Sequence, residues 1–246
     1  ADSDLLLWVK GIANGYRLDV LVDEPDVSPL AIQGPKSEEL MARVFGDAIR
    51  DVRFFRFGWF QFQGRDLVIA RSGYSKQGGF EIYVEGSELG MPLWNALMEA
   101  GRDLDVHAGC PNLIERIEGG LLSYGNDMTD DNTPHECGLG RFCNTHTAIG
   151  CVGRDALLRV AKEGPVRQIR PVELHGDSLP PCDRPWPVVA GDKAVGQITS
   201  CAWSPDFDTN VSIGMIRMTH WDAFTEVDVI TPAGVRAATV YEAFWN

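Results

Sequence analysis

Long apolar runs and basic side chains are scarce in this sequence. No apolar run approaches the ~20 residues that a helix needs to cross a bilayer, and the best candidate, Leu5-Leu6-Leu7-Trp8-Val9, ends at Lys10. The 22 basic side chains are outnumbered by 35 acidic ones, so the formal net charge is −13. Nucleic acids need a basic face for their phosphates, and we therefore predict no nucleic-acid partner and no membrane partner. The acidity suits an enzyme for a small, even cationic, substrate, and it is equally consistent with solubility alone.

Motifs for nucleophilic, metal or nucleotide chemistry are also missing. None of the six cysteines forms a C-x-x-C pair, and the five histidines lack the spacing of known metal sites, so we predict no metal ion. There is no G-x-S-x-G, and residues 73–79 (GYSKQGG) depart from the phosphate-loop pattern because Lys76 precedes the later glycines. We expect no covalent nucleophile, and the chemistry must then come from a bound cofactor. The scattered cysteines indicate a reducing cytoplasm.

Apolar periodicity predicts an α+β fold in two domains, residues 1–149 and 150–246. In the first domain the expected strands are 18–24, 29–35, 52–63, 65–72 and 80–86. The expected helices are 36–46, 87–103 with Ser87 as N-cap, 111–120 with Pro111 in the first turn, and 153–164 as the connection between the domains. Short β-rich runs separated by glycine, proline and aspartate then predict a small antiparallel barrel.

The candidate site begins with Glu81 and Tyr83, two residues apart on a predicted strand. Alternation places both side chains on one face, with Phe80, Ile82 and Val84 on the other. A solvated sheet face explains this pattern without any function. Alternatively, the carboxylate could accept two parallel hydrogen bonds from an amidine-like edge such as that of a pterin, and the phenol could meet an anionic substrate group.

An aromatic segment, residues 52–63 (VRFFRFGWFQFQ), supplies a second candidate. Alternation predicts Phe54, Phe60 and Phe62 on one face and Phe55, Phe57 and Trp59 on the other. Most segments of this kind are core, but aromatic faces also attract onium ions once water is excluded. Both interpretations stay open at this point.

Five motifs resemble, in order, the tetrahydrofolate-dependent aminomethyltransferase family, which includes the glycine-cleavage T-protein. They are LAIQGPKSEEL, SGYSKQGGFEIY, RIEGGLLSYGNDMTDDNTPHECGLG, CVGRDALLRVAKEGPVRQI and VGQITSCAWSP with the later IGMI. The resemblance covers nearly the whole chain. It implies a three-domain cloverleaf of folate-binding α+β domains and a C-terminal antiparallel β-barrel, with most of the N-terminal domain, including the T-protein's catalytic aspartate, expected before Ala1.

The SKQGGFEIY version of the second motif resembles a bacterial subgroup that moves a methyl group from dimethylsulfoniopropionate to tetrahydrofolate. The resemblance implies 3-methylthiopropionate and 5-methyltetrahydrofolate as products, tetrahydrofolate as methyl acceptor, Glu81 as the pterin anchor and Tyr83 facing the sulfonium. Further folate or substrate contacts are expected at Tyr74, Phe55, Arg56, Trp59, His107, Ala108, Gly109 and Arg116. A separate chain carrying the N-terminal segment, and a homodimer, are possible partners.

Two other activities within the resemblance are alternatives. The T-protein helix motif A-R-D-x-L-R-L-E has Asn112 here in place of its first arginine, whereas Arg116 and Glu118 are retained, which weakens an aminomethyltransferase interpretation. A T-protein would also need a lipoyl-carrier partner, whose docking usually needs basic surface. A folate-binding scaffold without turnover would carry K-G-C-Y-x-G-Q, which residues 148–154 do not match.

Overall fold

The structure, a computed structural model, describes residues 2–146 and 151–245, which divide into two compact units. The first lies within residues 2–73 and 77–109, and the second within 74–76 and 110–245. The helices are α1 (Asp2–Gly15), α2 (Ser37–Phe45), α3 (Gly90–Ala100), α4 (Leu113–Glu118) and α5 (Arg154–Glu163). The strands are β1 (Val27–Gln33), β2 (Phe57–Phe62), β3 (Arg65–Ala70), β4 (Gly79–Glu85), β5 (Arg167–Leu174), β6 (Trp186–Ala190), β7 (Lys193–Ser204), β8 (Thr209–Arg217), β9 (Glu226–Thr231) and β10 (Gly234–Val240). Within the described ranges, no helix has the length and apolarity to cross a membrane.

The first unit is built on an antiparallel sheet in the order β1-β4-β3-β2. One face of this sheet is covered by α2 and α3. Ile69 of β3 and Ile82 of β4 are fully buried there, together with Met41 of α2 and Leu93 of α3. Helix α2 ends at Gly46, whose φ of 84° suits a residue without a side chain. On the opposite face, called the open face below, Phe57 and Trp59 of β2 are exposed and Tyr83 of β4 is half-buried.

The second unit is a closed antiparallel barrel in the order β10-β5-β8-β7-β6-β9. Its interior is filled by side chains such as Val172, Val188, Ile198 and Val229, none of which is exposed. Helix α4 packs through Ile117 against the outside of the barrel. Closure pairs every strand on both edges, so no strand is left open for unwanted pairing.

The α+β class, the four strands of the first sheet and the C-terminal barrel are confirmed. The strand predicted at 18–24 is wrong, because Leu18, Val20 and Leu21 are exposed and unpaired, and the first strand begins only at Val27. The strand predicted from residue 52 starts five residues later, since Phe55 has a φ of 56° and turns the chain before β2.

Two helix starts also differ from the prediction. Ser87 is not the N-cap of α3, because that helix begins at Gly90 after Leu89, and Ser87 contributes only its carbonyl to the preceding turn. Pro111 lies before α4 rather than in its first turn, and Asn112 is the N-cap, with a side-chain oxygen that accepts from the amide of Ile114 at 2.9 Å. The domain boundary predicted at 149/150 lies outside the described residues and stays a prediction.

Candidate functional site

The open face of the four-stranded sheet carries Glu81 and Tyr83. Phe80, Ile82 and Val84 on β4 enter the core with at most 2% exposure, so the alternation of a strand directs the two polar side chains outward. The predicted alternation of β4, with Phe80, Ile82 and Val84 on the core face and Glu81 and Tyr83 on the opposite face, is therefore confirmed. Both polar side chains are half-buried by their neighbours on the open face.

Small neighbours leave space around the Glu81 carboxylate. Strand register pairs Glu81 with Ala31 on β1 and with Ala70 on β3, and Ala70 is paired in turn with Phe57 on β2. Methyl groups on both sides expose the carboxylate to a flat molecule lying across the strands. Ala31, Glu81, Ala70 and Phe57 thus form one row across the four strands. The row ends at the aromatic ring of Phe57, which is 65% exposed.

A second row of paired residues crosses the sheet at Tyr83 and ends at an aromatic residue on β2. Tyr83 is paired with Pro29 on β1 and Val68 on β3, and Val68 is paired with Trp59 on β2. A groove of about 570 Å³ opens over these residues and over Phe57. Trp59 is 62% exposed, so its ring face is available to a ligand.

Carboxylates give the groove a negative potential. Asp66 and Glu85 line it, and Glu81 lies in the neighbouring row. The Ser72 hydroxyl donates to one oxygen of Glu81, and in the described part of the chain Glu81 has no ion-pair partner. The carboxylate thus keeps acceptor capacity for a ligand, and the aromatic and acidic lining favours a cation.

Two glycines and one glutamine shape the loop that leads into β4. The amide nitrogen of Gln33 donates to the carbonyls of Ser72 at 3.1 Å and Phe80 at 3.3 Å, which bridges the two ends of the loop. A side chain at Gly73 would lie 2.1 Å from the Gln33 amide, and one at Gly79 would lie 2.2 Å from the carbonyl of Ile32. Glycine is therefore required at position 79 by the close approach of the backbone, whereas a side chain at position 73 would displace the Gln33 amide that bridges the loop.

The remaining predicted contacts in the first unit lie at exposed turns. Phe55 donates its amide to the carbonyl of Arg71, and Arg56 accepts from the Arg71 amide at 2.9 Å, so both continue the β2–β3 pairing beyond the strand end. Both side chains are exposed. His107 is exposed and lies 2.9 Å from Asp105, and residues 108–109 beside it are irregular and exposed.

Two predicted contacts belong to the second unit. The Tyr74 hydroxyl lies 2.9 Å and 3.0 Å from the carbonyls of Leu121 and Leu122 and donates its one hydrogen to this pair, and burial raises the pKa of the phenol. Its neighbour Lys76 forms an ion pair of 2.7 Å with the buried Glu118. Tyr74 and Lys76 are thus fixed by protein groups of this unit.

Arg116 lies in a buried polar network. Its Nη1 donates to Asp127 Oδ2 at 2.8 Å and to the carbonyl of Leu121 at 3.2 Å, and its Nη2 donates to Ser200 Oγ at 2.6 Å. The side chains of Arg116 and Asp127 are 8% and 0% exposed. This arrangement gives Arg116 a structural role, and its contact with a ligand stays a prediction.

Sequence analysis missed the supporting residues of the site. Ser72, Gln33 and the flanking alanines become visible only once the strand register is known, since nothing in their local sequence marks them. Asp127, the partner of Arg116, was also missed. Within residues 2–146 and 151–245, no group of three His, Cys, Asp or Glu side chains is arranged to hold a metal ion.

Comparison with known proteins gives matches over both parts of the chain. Residues 2–147 match the family model of the GCVT N-terminal domain, and residues 167–245 match that of the glycine cleavage T-protein C-terminal barrel domain. The chain is 59% identical over its whole length to the dimethylsulfoniopropionate demethylase of Ruegeria pomeroyi, of which it covers 67%. It is 31% identical over 92% of its length to an aminomethyltransferase of Symbiobacterium thermophilum, of which it covers 61%.

A solved structure shows the same fold. The glycine cleavage system aminomethyltransferase T of Bartonella henselae superposes with a TM-score of 0.71 at 24% identity, over 89% of this chain and 60% of that one. The chain thus spans about three fifths to two thirds of the length of these relatives. With both family models matched in order, the chain belongs to the aminomethyltransferase family of the glycine-cleavage T-protein.

Proposed function

We propose that the protein transfers a methyl group from dimethylsulfoniopropionate to N5 of tetrahydrofolate, giving 3-methylthiopropionate and 5-methyltetrahydrofolate. The relative from Ruegeria pomeroyi, 59% identical, is named for demethylation of this sulfonium. The observation that carries the proposal is that one sheet face combines the Glu81 carboxylate, which has no ion-pair partner among the described residues, with a groove lined by the aromatic rings of Phe57, Trp59 and Tyr83. The reaction needs a carboxylate to bind the pterin and aromatic ring faces to bind the positively charged sulfonium.

The row of Glu81 fits a pterin. The edge of the pterin that carries N3–H and the 2-amino group presents two parallel donors, and a carboxylate accepts such a pair in bidentate fashion. Ala31 and Ala70 leave the ring system space on either side of Glu81, and Phe57 offers a stacking surface. Ser72 holds the carboxylate from its other side.

The row of Tyr83 fits the sulfonium. Trp59 and Phe57 present exposed ring faces, and the negative faces of aromatic rings attract a cation most strongly where water is displaced. Asp66 and Glu85 add negative charge to the groove. The Tyr83 hydroxyl, with Arg56 as a second candidate, would meet the substrate's carboxylate.

Catalysis in this site comes from positioning the sulfonium against tetrahydrofolate and from displacing water around the sulfonium. When bound, tetrahydrofolate supplies the N5 lone pair that takes the methyl group as the carbon–sulfur bond breaks, with the bonding electrons left on sulfur and the N5 proton released to water. The positive charge of the sulfonium spreads in the transition state, so apolar walls in place of water favour the reaction. Holding donor and acceptor in line contributes up to roughly 7–11 kcal/mol in intramolecular analogues.

The remaining site residues enter the proposal as outer contacts. Tyr74, Arg116, His107, Ala108 and Gly109 are each proposed to contact the folate or the substrate. A cytoplasmic location, a homodimer and a separate chain that carries an N-terminal segment also stay predictions.

The test is ligand affinity in a Glu81→Gln variant. Glutamine keeps the shape but loses the charge-assisted pair, which is worth ~1.5–3 kcal/mol, so the Kd for tetrahydrofolate is expected to rise roughly 10- to 150-fold. Glu99→Gln, an exposed change on α3, is the matched control and should leave the Kd unchanged. Tyr83→Phe should raise the KM for the sulfonium more than that for folate. An unchanged Kd in Glu81→Gln would contradict the role given to this residue.

Donor choice separates this activity from its alternative. Purified protein is incubated anaerobically with tetrahydrofolate and either dimethylsulfoniopropionate or an aminomethyl-loaded lipoyl carrier, and the folate product is identified by mass. Formation of 5-methyltetrahydrofolate from the sulfonium supports the proposal. Formation of 5,10-methylenetetrahydrofolate from the carrier alone would replace it by the aminomethyltransferase reaction.

A further inference from the structure

Two arginines face each other across the outside of the barrel. Strand register pairs Arg167 on β5 directly with Arg217 on β8. Like charges in directly opposed positions repel, which costs stability unless an anion lies between them. Such a pair is unexpected in a chain with a net charge of −13.

The two arginines border a groove of about 340 Å³ between β5, β8 and β7. Its β7 side consists of the small residues Ala194 and Gly196 and of the Gln197 amide. A side chain at Gly196 would point toward buried Ile216 and lie 2.5 Å from the carbonyl of Met215, so glycine is required for the close approach of β7 and β8 beneath the groove. The volume is at the lower end of the roughly 300–1,000 Å³ of small-molecule sites, which suits a ligand far smaller than a folate.

Hydrogen-bond donors along this groove have no acceptor among the described residues. Arg167 Nε donates to Glu136 Oε1 at 2.8 Å and Nη2 to the carbonyl of Asp131 at 3.2 Å, and no acceptor for Nη1 lies within residues 2–146 and 151–245. Arg217 has no side-chain acceptor or ion-pair partner among the residues that the structure describes, and the Gln197 amide has none either. Three donor groups on three adjacent strands are therefore available to one acceptor.

The local charge also favours an anion. Glu136, which is 7% exposed, neutralises one guanidinium through the Nε edge of Arg167. The second guanidinium, that of Arg217, has no carboxylate partner within the described ranges, so the groove keeps about one positive charge. Guanidinium groups match the planar oxygen pairs of carboxylate and phosphate, and Arg217 keeps all its donors for this purpose.

We propose that the groove between Arg167, Arg217 and Gln197 binds a small oxyanion, either a carboxylate on a short apolar stem or a phosphate. The site belongs to the second unit and does not depend on methyl transfer. Arg217 would bind the oxyanion through its fork, Arg167 through Nη1 and Gln197 through its amide. Val166 and Met215 offer apolar surface to a stem.

The test is calorimetric titration of the purified protein with inorganic phosphate and, separately, with propionate at constant ionic strength. Saturable binding of either probe in the millimolar range or tighter is expected, and the tighter probe identifies the source of the oxyanion. Arg217→Gln should weaken this binding at least tenfold, and Gln197→Ala severalfold. Both positions are exposed, so neither change should prevent folding.

Arg184→Gln is the matched control, because it removes the same charge from an exposed position in the loop before β6, outside the groove. It should leave the affinity unchanged. Absence of saturable binding for both probes would overturn the proposal, and so would an equal loss of affinity in Arg217→Gln and Arg184→Gln, which would indicate general charge attraction.

Discussion

Replacing Asp127 by alanine is expected to destabilise the second unit by about 3–5 kcal/mol, the usual cost of leaving one member of a buried ion pair alone. Its carboxylate accepts from Arg116 Nη1 and from the amide of Ser123, both at 2.8 Å. It also accepts from the hydroxyls of Thr199 at 2.7 Å and Ser200 at 2.6 Å. The Arg116 side chain is only 8% exposed, so water cannot replace the lost carboxylate without opening the structure.

Two further variants separate charge from shape. Asp127→Asn keeps the volume, and its remaining side-chain oxygen can still accept from Arg116 and from the Ser123 amide, so a smaller loss of about 1–3 kcal/mol is expected. The double variant Arg116→Met with Asp127→Leu removes both charges and fills the space with apolar atoms. It should be more stable than Asp127→Ala, because a buried pair replaced as a whole costs little.

Urea unfolding, followed by tryptophan fluorescence and by hydrogen exchange of β7 and β8 amides, measures these changes for the second unit. With an m-value of ~2 kcal/mol/M, a loss of 4 kcal/mol lowers the midpoint by about 2 M. A loss below ~1 kcal/mol in Asp127→Ala would refute the assignment of Arg116 to a buried structural pair. An unchanged midpoint together with weakened folate binding would instead restore Arg116 as a ligand contact.

Two other predictions follow from titratable groups of the second unit. Burial alone would raise the pKa of Glu136, but the amide of Thr133 and the guanidinium of Arg167 outweigh it and hold the pKa below the usual 4.5. The stabilisation by the ionised Glu136 carboxylate is complete above pH 4.5 and is lost as the pH falls through the lower pKa of the folded state. The difference in unfolding midpoint between wild type and Glu136→Gln should therefore shrink in acid. A difference that stayed constant into acid would contradict this. Burial also raises the pKa of Cys201 to about 12 at 1% exposure, so iodoacetamide should label the exposed Cys110 and Cys151 first and Cys201 only after unfolding, as read by peptide mass spectrometry. Equal labelling rates in the native protein would be inconsistent with it.

Alternation made β4 predictable from sequence. Phe80, Ile82 and Val84 alternate with Glu81 and Tyr83, and a strand of period two can bury only one of these sets. The barrel was predictable for a related reason, since short apolar runs punctuated by turn residues have few other ways to form a core. The residues that shape the site around Glu81 were not, because pairing with Ala31 and Ala70 depends on contacts between distant segments.

The errors at 18–24 and at Ser87 have physical causes. Leu18, Val20 and Leu21 have the composition of a strand, but all three are exposed and the segment pairs with no strand of the described residues, and composition without a partner edge and a core does not make a strand. Ser87 is a good capping residue by type, yet the turn of residues 87–90 delays the start of α3 until Gly90. Local preference in both cases was overridden by the position of the neighbouring chain.

The alternation of β4 between a core face and a groove face also limits which sequence changes this sheet can accept. Positions 81, 83 and 85 face the groove or its neighbouring row, whereas 80, 82 and 84 hold the core, so substitutions at the odd positions can change what is recognised at little cost in folding. Insertion of a single residue within the strand would turn the core side chains toward the groove and the groove side chains toward the core. The core and the ligand site would then be lost together. New ligand preferences should therefore arise by replacement within β4, and changes of length should be tolerated only before Gly79.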